Sequence, residues 1–235
     1  MKSIAIIPAR GGSKRIPRKN IKSFLGKPII AYSIEIALQS NLFDEVMVST
    51  DDDEIAEVAK KYGANIPFLR SKKNADDFAT TFDVINEVLV KYQSLGINFE
   101  YACCIYPTAP FVSDALLKKA YNLLKNHDYD CVFPAMSFSF PIQRAMRITD
   151  SKSKIEMISP ENLNKRSQDL EACYHDVGQF YFFNVNKILV KKKLWTDNTG
   201  SIIISELEGQ DIDSLTDWKL AELKYTLLNE KKNSF

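Results

Sequence analysis

Two rhythms of apolar residues alternate along this chain. Short, nearly unbroken apolar blocks occupy residues 3–9 (SIAIIPA), 45–50 (EVMVST), 101–106 (YACCIY) and 130–138 (DCVFPAMSF). Between them apolar residues recur every three or four positions. In 26–40, Ile30, Ile34, Ala37 and Leu38 share one helical face, with Pro28 expected in the first turn. Residues 51–63 have acids first, lysines last and Gly63 as a stop. Further helices are expected at 80–95 and at 113–127, the latter capped by Ser113. Residues 65–69 (NIPFL) can form only a short edge strand, because proline cannot serve a central one. Strands alternating with helices predict an α/β fold with a Rossmann-like, mostly parallel open sheet covered on both faces. The loops that follow the strands then share one edge, where such sheets bind ligands.

The rhythm breaks at 138–175. QRAMRITDSKSKIEMIS predicts a β-hairpin around TDSKS, followed by a polar stretch, PENLNKRSQDLEA. GQFYFFNV (178–185) then returns as an apolar strand. Such an excursion is either a dimer arm or a surface elaboration of a monomer. The chain thus divides into an α/β unit, 1–137 with 176–235, and an insertion, 138–175. A strand is expected near 201–206. A last helix follows, with Ser214 and Asp217 spaced as a capping box and Trp218, Ala221, Tyr225 and Leu228 on its buried face. The tail NEKKNSF is expected to fray.

Charge changes this picture in one place. Lys plus Arg number 31 against 30 Asp plus Glu, a net charge of +1 over 235 residues. Yet six of the thirteen residues from Arg10 to Lys22 are cationic, and the first acid in the chain is Glu35. A general nucleic-acid binder would be more basic overall and would interleave aromatics with its cations. The positive charge is local, which points to a small anionic ligand. No run of about 18 apolar residues occurs, so neither a membrane span nor a membrane partner is expected. The start of the chain lacks the pattern of a signal peptide. The four cysteines form no CxxC pair, and Cys103 and Cys104 are expected on opposite faces of one strand as buried thiols, in keeping with a cytoplasmic protein. Two histidines are too few for an expected zinc site.

Candidate chemistry gathers in a few segments. The loop ARGGSKRIPRKN follows the first strand. Gly11 and Gly12 permit backbone conformations closed to other residues, and their N–H groups can approach an anion. Arg10, Lys14, Arg15, Arg18 and Lys19 can surround phosphates; the alternative is a solvated basic turn. In QDIDSLTDW, extended backbone would put Asp211 and Asp213 on one face, a pair able to hold Mg²⁺. Alternatively Asp213 only caps the last helix. VSTDDDE reads more simply as a helix cap with acids in the first turn. YPTAP makes a rigid strand end. Arg166, Gln168, His175 and Gln179 could bind a polyhydroxylated, carboxylated molecule or be ordinary polar surface.

Together these segments resemble the CMP-sialic acid synthetase family, the cytidylyltransferases of acidic nine-carbon sugars. IPARGGSKRIPRKNIK is similar to that family's nucleotide loop, and VSTDD, FLR, PTAP, RSQDL and QDID follow in the family's order. The resemblance runs from Ile4 to about Tyr225. Phrases such as YPTAPFVS, FPIQRA and RSQDLEACYHDVGQFYF resemble the branch that acts on pseudaminic acid. Relatives that use sialic acid more often carry glutamine where Tyr106 stands, facing the sugar; an aromatic there suits a less hydrophilic sugar.

The resemblance implies a nucleotide-diphospho-sugar transferase type of sheet and the reaction of CTP with the sugar to give a CMP-sugar and pyrophosphate. It implies that Ala9, Arg10, Gly11, Gly12, Ser13, Lys19, Asn20, Arg70, Asp77 and Thr81 bind the nucleotide. Tyr106, Gln143, Arg144, Arg166, Gln168 and Gln179 become candidates for the sugar. Asp211 and Asp213 become Mg²⁺ ligands and, with Arg10 and Lys19, the catalytic set. The general base stays open between an aspartate and a hydroxyl acidified by the metal. A homodimer that exchanges the hairpin insertion is implied, with part of each sugar pocket on the partner and a product destined for flagellin or surface glycans. Open alternatives are a sialic or legionaminic acid synthetase, a 3-deoxy-octulosonate cytidylyltransferase, and a non-catalytic nucleotide- or RNA-binding module.

Overall fold

The computed structural model describes residues 2–150 and 153–233. The chain forms β1 (Ser3–Pro8), a hairpin of β2 (Ser23–Phe24) and β3 (Lys27–Pro28), α1 (Ile29–Gln39), β4 (Glu45–Ser49) and α2 (Asp53–Lys61). Next come α3 (Thr81–Ser94), β5 (Tyr101–Ile105), α4 (Asp114–Asn126) and β6 (Cys131–Ser137). The excursion contributes β7 (Met146–Ile148) and β8 (Ile155–Met157); then follow β9 (Tyr174–Asp176), β10 (Phe180–Asn184), α5 (Val185–Lys191), β11 (Thr199–Ile203) and α6 (Leu215–Asn233).

The main sheet has the order β11-β6-β10-β5-β1-β4, with β9 added to β6. β1 runs parallel to β4 and β5, and β11 runs parallel to β6. β10 is antiparallel to both β5 and β6, and β9 is antiparallel to β6. β5 and β6 therefore run the same way. The loops after β1, β4, β5 and β6 and the start of β10 all lie on one edge, so the excursion springs from the same edge as the basic loop.

Strand periodicity sorts the core. Ala5, Ile7 and Cys103 face one layer with Ile30, Ile34, Ala59 and Leu117, while Ile4, Ile6 and Cys104 face the other with Ile85, Val88 and Ile188. The two adjacent thiols thus point to opposite faces, as a period of two requires. A third, smaller core joins Ile16, Phe24, Ile29, Tyr32, Phe111 and Ile212 to Trp218 and Ala221 of α6, with Tyr225 and Leu228 packed against it.

Several local expectations are adjusted. Pro28 stands just before α1 as its N-cap, outside the first turn, because it also ends the β2–β3 hairpin. The strand expected at 65–69 shrinks to one bridge between Asn65 and Met47, since Pro67 has no N–H to extend the ladder. The strand expected near 201–206 begins at Thr199 and ends at Ile203, where Ser205 and Glu208 cap a single 3₁₀ turn. Pro134 sits inside β6, where the antiparallel partner changes from β10 to β9, so no ladder bond is lost there. The expected hairpin forms between β7 and β8; Ser151 and Lys152 of its turn lie outside the described residues. α6 continues through Asn233 where fraying was expected, and the end of that tail, residues 234–235, lies outside the described residues. No described helix is long and apolar enough to cross a membrane.

Candidate active site

The basic loop is anchored before it can bind anything. The Ala9 N–H donates to the Ser49 carbonyl at 2.9 Å, prolonging the register of β1 on β4. Asn20 is buried and donates from Nδ2 to the Arg10 carbonyl at 2.9 Å, closing the loop on itself. Ile16, only 1% exposed, plugs the loop into the third core. The glycines act otherwise than expected. Neither Gly11 nor Gly12 adopts a left-handed φ; Arg18 does, at +54°. Gly11 is needed for close approach, because a Cβ there would sit 2.6 Å from Asp52 Oδ2. Its N–H donates to Asp51 Oδ1 at 3.0 Å, while Gly12 faces open space. Ser13 lines the hollow that the loop encloses, about 200 Å³, together with Arg10, Lys14, Arg15, Lys19, Asn20, Tyr106 and Thr108.

The cations separate into two groups. Arg10 donates to Asp77 Oδ1 at 2.7 Å and to the Asp76 carbonyl at 2.9 Å, and Lys14 pairs with the same Asp77. Those bonds from Lys14 and Arg10 hold the Asp77 carboxyl below its ordinary range. Arg15 Nη2 lies 2.8 Å from Asp213 Oδ1. Arg10, Lys14 and Arg15 all line the hollow. Arg18 does not line it: both its Nη atoms engage Asp52, at 2.5 and 2.8 Å, and Nη2 also meets Glu54. Asp52 is meanwhile the N-cap of α2, accepting the Ile55 N–H at 3.0 Å. The Arg18 bonds depress its carboxyl to about 2. Arg18 is therefore a strut to α2, and the simpler reading of VSTDDDE as a cap is what the structure shows.

The carboxylate pair lies at the same place, some 200 positions away in sequence. Lys19 Nζ donates to the Ile212 carbonyl at 2.7 Å and lies 3.6 Å from Asp213 Oδ1. Ile212 is fully buried in the third core beside Ile16 and Trp218. Two isoleucines, one per segment, thus hold loop and carboxylates together. Burying each contributes roughly 1.5–3 kcal/mol. Asp213 is not the helix cap: Ser214 and Asp217 form the capping box of α6 by exchanging side-chain and backbone bonds. Burial, and then the negative charge of Asp213, push the Asp211 carboxyl above its ordinary range. A divalent cation bound between the two carboxylates would relieve that repulsion. Among the described residues no cluster of three or more acidic, His or Cys side chains could hold a metal. Two carboxylates that leave the remaining positions to phosphate and water suit Mg²⁺.

Beyond the loop, Arg70 is 8% exposed and donates from Nε to Ser49 Oγ at 3.0 Å and from Nη2 to the Ser49 carbonyl. Burial lowers its pKa, with Asp51 and Glu87 opposing the fall. Thr81 Oγ1 lies 3.0 Å from the Tyr106 hydroxyl. Tyr106 lines both the loop hollow and a second one of about 290 Å³, walled by Thr80, Thr81, Tyr181, Leu194 and Trp195. Burial pushes the Tyr106 phenol upward. Tyr181 and Trp195 escaped the reading of the sequence, because no charge or spacing marks them.

Of the other candidates for the sugar, Gln179 sits beside Tyr106, its carbonyl accepting the Tyr106 N–H at 2.8 Å, whereas Gln143, Arg144, Arg166 and Gln168 stand on the excursion. Gln179 is buried and donates to the Glu208 carbonyl at 2.5 Å, tying β10 to the 206–208 turn. Gln143 donates to the Glu171 carbonyl at 2.8 Å, Arg144 to the Lys165 carbonyl, and Arg166 pairs with Asp169 at 2.8 Å. Gln168 lines a separate hollow of about 440 Å³ with Phe140 and Cys173. The His175 ring packs tilted against Phe138, with centroids 4.8 Å apart.

A cytidylyltransferase family model matches residues 4–204. The chain belongs to the cytidylyltransferase family. This cytidylyltransferase is 42% identical over 230 residues, 98% of the chain and 99% of the relative, to the pseudaminic acid cytidylyltransferase of Campylobacter jejuni. It is 33% identical, over 98% of the chain and 99% of the relative, to the CMP-N,N'-diacetyllegionaminic acid synthase of Legionella pneumophila. Among solved structures it resembles CMP:2-keto-3-deoxy-manno-octonic acid synthetase complexed with CTP. The TM-score is 0.70 at 17% identity, covering 98% of the chain and all of that one. A 4-diphosphocytidyl-2C-methyl-D-erythritol synthase from Anaerococcus prevotii gives 0.61 at 18% identity, covering 96% of the chain and 98% of that one. These structural likenesses extend the α/β architecture to the whole chain.

Proposed function

We propose that this cytidylyltransferase activates pseudaminic acid with CTP, forming CMP-pseudaminic acid and pyrophosphate. The observation that carries the reading is that Arg10, Lys14, Arg15 and Lys19 line one hollow, that Arg15 and Lys19 reach Asp213 and the Ile212 carbonyl in the segment carrying Asp211 and Asp213, and that Tyr106 is a wall shared with a second hollow. A triphosphate with its metal suits the first hollow, and a sugar with an apolar side suits the second. The near-full-length likeness to the Campylobacter jejuni enzyme supports the choice of sugar.

In the reaction the sugar's anomeric hydroxyl oxygen forms a bond to the α-phosphorus and gives up its proton to a base or to solvent, the bond from that phosphorus to the bridging oxygen breaks, and pyrophosphate departs. Arg10 and Lys14 exchange Asp77 for phosphate oxygens. Lys19, fixed by the Ile212 carbonyl, holds its charge beside the phosphates with little reorganisation. Asn20, Arg70 and Thr81 position the cytidine part. Asp211 and Asp213 would hold Mg²⁺, which would supply positive charge to the phosphates when bound.

Exposed apolar residues concentrate on the excursion: Phe140, Ile148, Ile155 and Leu163 are 83, 68, 58 and 63% exposed. A second copy of the chain is the occupant that suits them, and residues 138–175 then serve as the dimerisation arm. Such pairing gives Gln143, Arg144, Arg166 and Gln168 a route to the partner's sugar pocket. Free cysteines at Cys103, Cys104, Cys131 and Cys173 suit work in the cytoplasm.

The test is pyrophosphate release from CTP and Mg²⁺ with a panel of sugars. Turnover of pseudaminic acid is expected. Turnover of N-acetylneuraminic or legionaminic acid instead would move the protein to a sister activity, and no turnover with any acidic sugar would overturn the reading.

A further inference from the structure

Two hollows meet at Trp195. The one proposed for the sugar holds Tyr181; its neighbour, about 220 Å³, is lined by Phe133, His175 and Asp176 among others. A hydrogen bond joins them, from the Tyr181 hydroxyl to Asp176 Oδ2. The second oxygen of Asp176, Oδ1, accepts the Gly178 N–H at 2.8 Å. Gly178 lies at φ +62°, in the left-handed region that glycine enters freely. Pairing of Asp176 with Ala135 fixes the backbone of β9, and the Tyr181 ring is held by Phe133 at 5.4 Å and Tyr106 at 6.1 Å. Both partners of the bond are therefore set by the fold.

A phenol has one proton to donate. With that proton committed to Asp176, the Tyr181 oxygen can offer only lone pairs to a molecule beside it. Burial and the bond to Asp176 both push this phenol well above its ordinary range, so the proton stays. Tyr106 differs: its hydroxyl lies beside Thr81 Oγ1, and either group can donate.

We infer that Asp176 is a positioning residue that turns Tyr181 into a hydrogen-bond acceptor, so that the pocket selects a sugar substituent carrying an N–H or O–H donor at that point. The inference rests on the assignment of this hollow to the sugar. An acylamino group meets the requirement through its N–H, whereas a substituent offering only carbonyl or ether oxygen leaves the lone pairs of Tyr181 facing its own. A site whose polar group is left unpaired in this way discriminates strongly.

Asp176→Asn tests the polarity. Asparagine keeps the volume but has one acceptor oxygen; with that oxygen on the Gly178 N–H, its amide donates to Tyr181 and the phenol proton turns outward. Steady-state kinetics with CTP and pseudaminic acid should show the sugar KM raised about tenfold and the CTP KM within about twofold. Tyr181→Phe should raise the sugar KM similarly. The double variant should be no worse than Tyr181→Phe, because no hydroxyl remains to be oriented. An unchanged sugar KM in Asp176→Asn, a double variant whose loss multiplies the single losses, or joint rise of both KM values would each overturn the inference. Should Asp176→Asn fail to fold, Tyr181→Phe decides it: a raised sugar KM supports the inference and an unchanged one overturns it. If the wild-type protein turns over a different acidic sugar, the choice of pseudaminic acid fails and the same variants are assayed with that sugar.

Discussion

The basic loop, residues 7–22, and the excursion, residues 138–175, leave the same edge of the sheet but are built on opposite principles. The loop buries its anchors, Ile16 and Asn20, and turns charge toward a hollow. The excursion spends its polar groups on itself, Arg166 on Asp169 and Gln143 on the Glu171 carbonyl, and leaves apolar side chains to solvent. A segment organised around a small ligand is complete within one chain. A segment that exposes Phe140 and Ile148 is open to another surface, and on the reading proposed above a second copy supplies it.

The largest effect should come from the counterpart of the loop. Asp211→Asn with Asp213→Asn should lower Mg²⁺-dependent pyrophosphate release by more than about 10³-fold, since charge stabilisation at the transferring phosphate is lost. Circular dichroism should show the fold intact, because Ile212 and the Ser214–Asp217 cap remain. Retained turnover would remove both carboxylates from the site.

Next in size is a contrast inside the loop. Arg10→Ala should reduce kcat/KM for CTP by about 10²-fold. Arg18→Ala should leave the CTP KM within about twofold and lower stability by at most about 1 kcal/mol, as exposed pairs do. Equal kinetic losses in both variants would erase the division between phosphate cations and struts.

A smaller effect probes the excursion. Ile148→Asp with Ile155→Asp should weaken self-association by at least about 2 kcal/mol, read by light scattering across a dilution series. A wild-type protein that is monomeric at all concentrations would leave the excursion a surface elaboration.

The same contrast explains what could be read from the sequence. The alternation of strands and helices, the opposite facing of Cys103 and Cys104 and the capping box at Ser214 follow from local periodicity and spacing, and all three are present. The link from loop to carboxylates was legible as chemistry but not as contact. Ile16 and Ile212 look like any isoleucine until α6 packs over them. The function of Gly11 was misjudged because its constraint is Asp52, more than 40 positions away, and not its own φ. Arg18 and Arg10 are indistinguishable by type; only the tertiary position of Asp52 separates them. The Tyr181–Asp176 pair was invisible because a sequence records no hydroxyl direction.

The smallest effect is the sharpest check on Arg18 as a strut. Asp52 has its carboxyl depressed from 3.8 to about 2 in the folded protein, chiefly by the Arg18 bonds. A depressed folded value means the stabilisation is fully present above the unfolded value and fades as pH falls toward the folded one. Asp52→Asn keeps an N-cap acceptor for the Ile55 N–H while removing the charge. Arg18 is 38% exposed, so solvent screens the pair and about 1 kcal/mol is the expected loss at pH 6. In urea titrations the gap between wild type and Asp52→Asn should close between about pH 4 and pH 2. In an Arg18→Ala background the same substitution should cost little at any pH, since the charge that Asp52 answers is gone. A gap that persists unchanged to pH 2 would mean that Arg18 does not hold Asp52, and would return Arg18 to the cations available for phosphate.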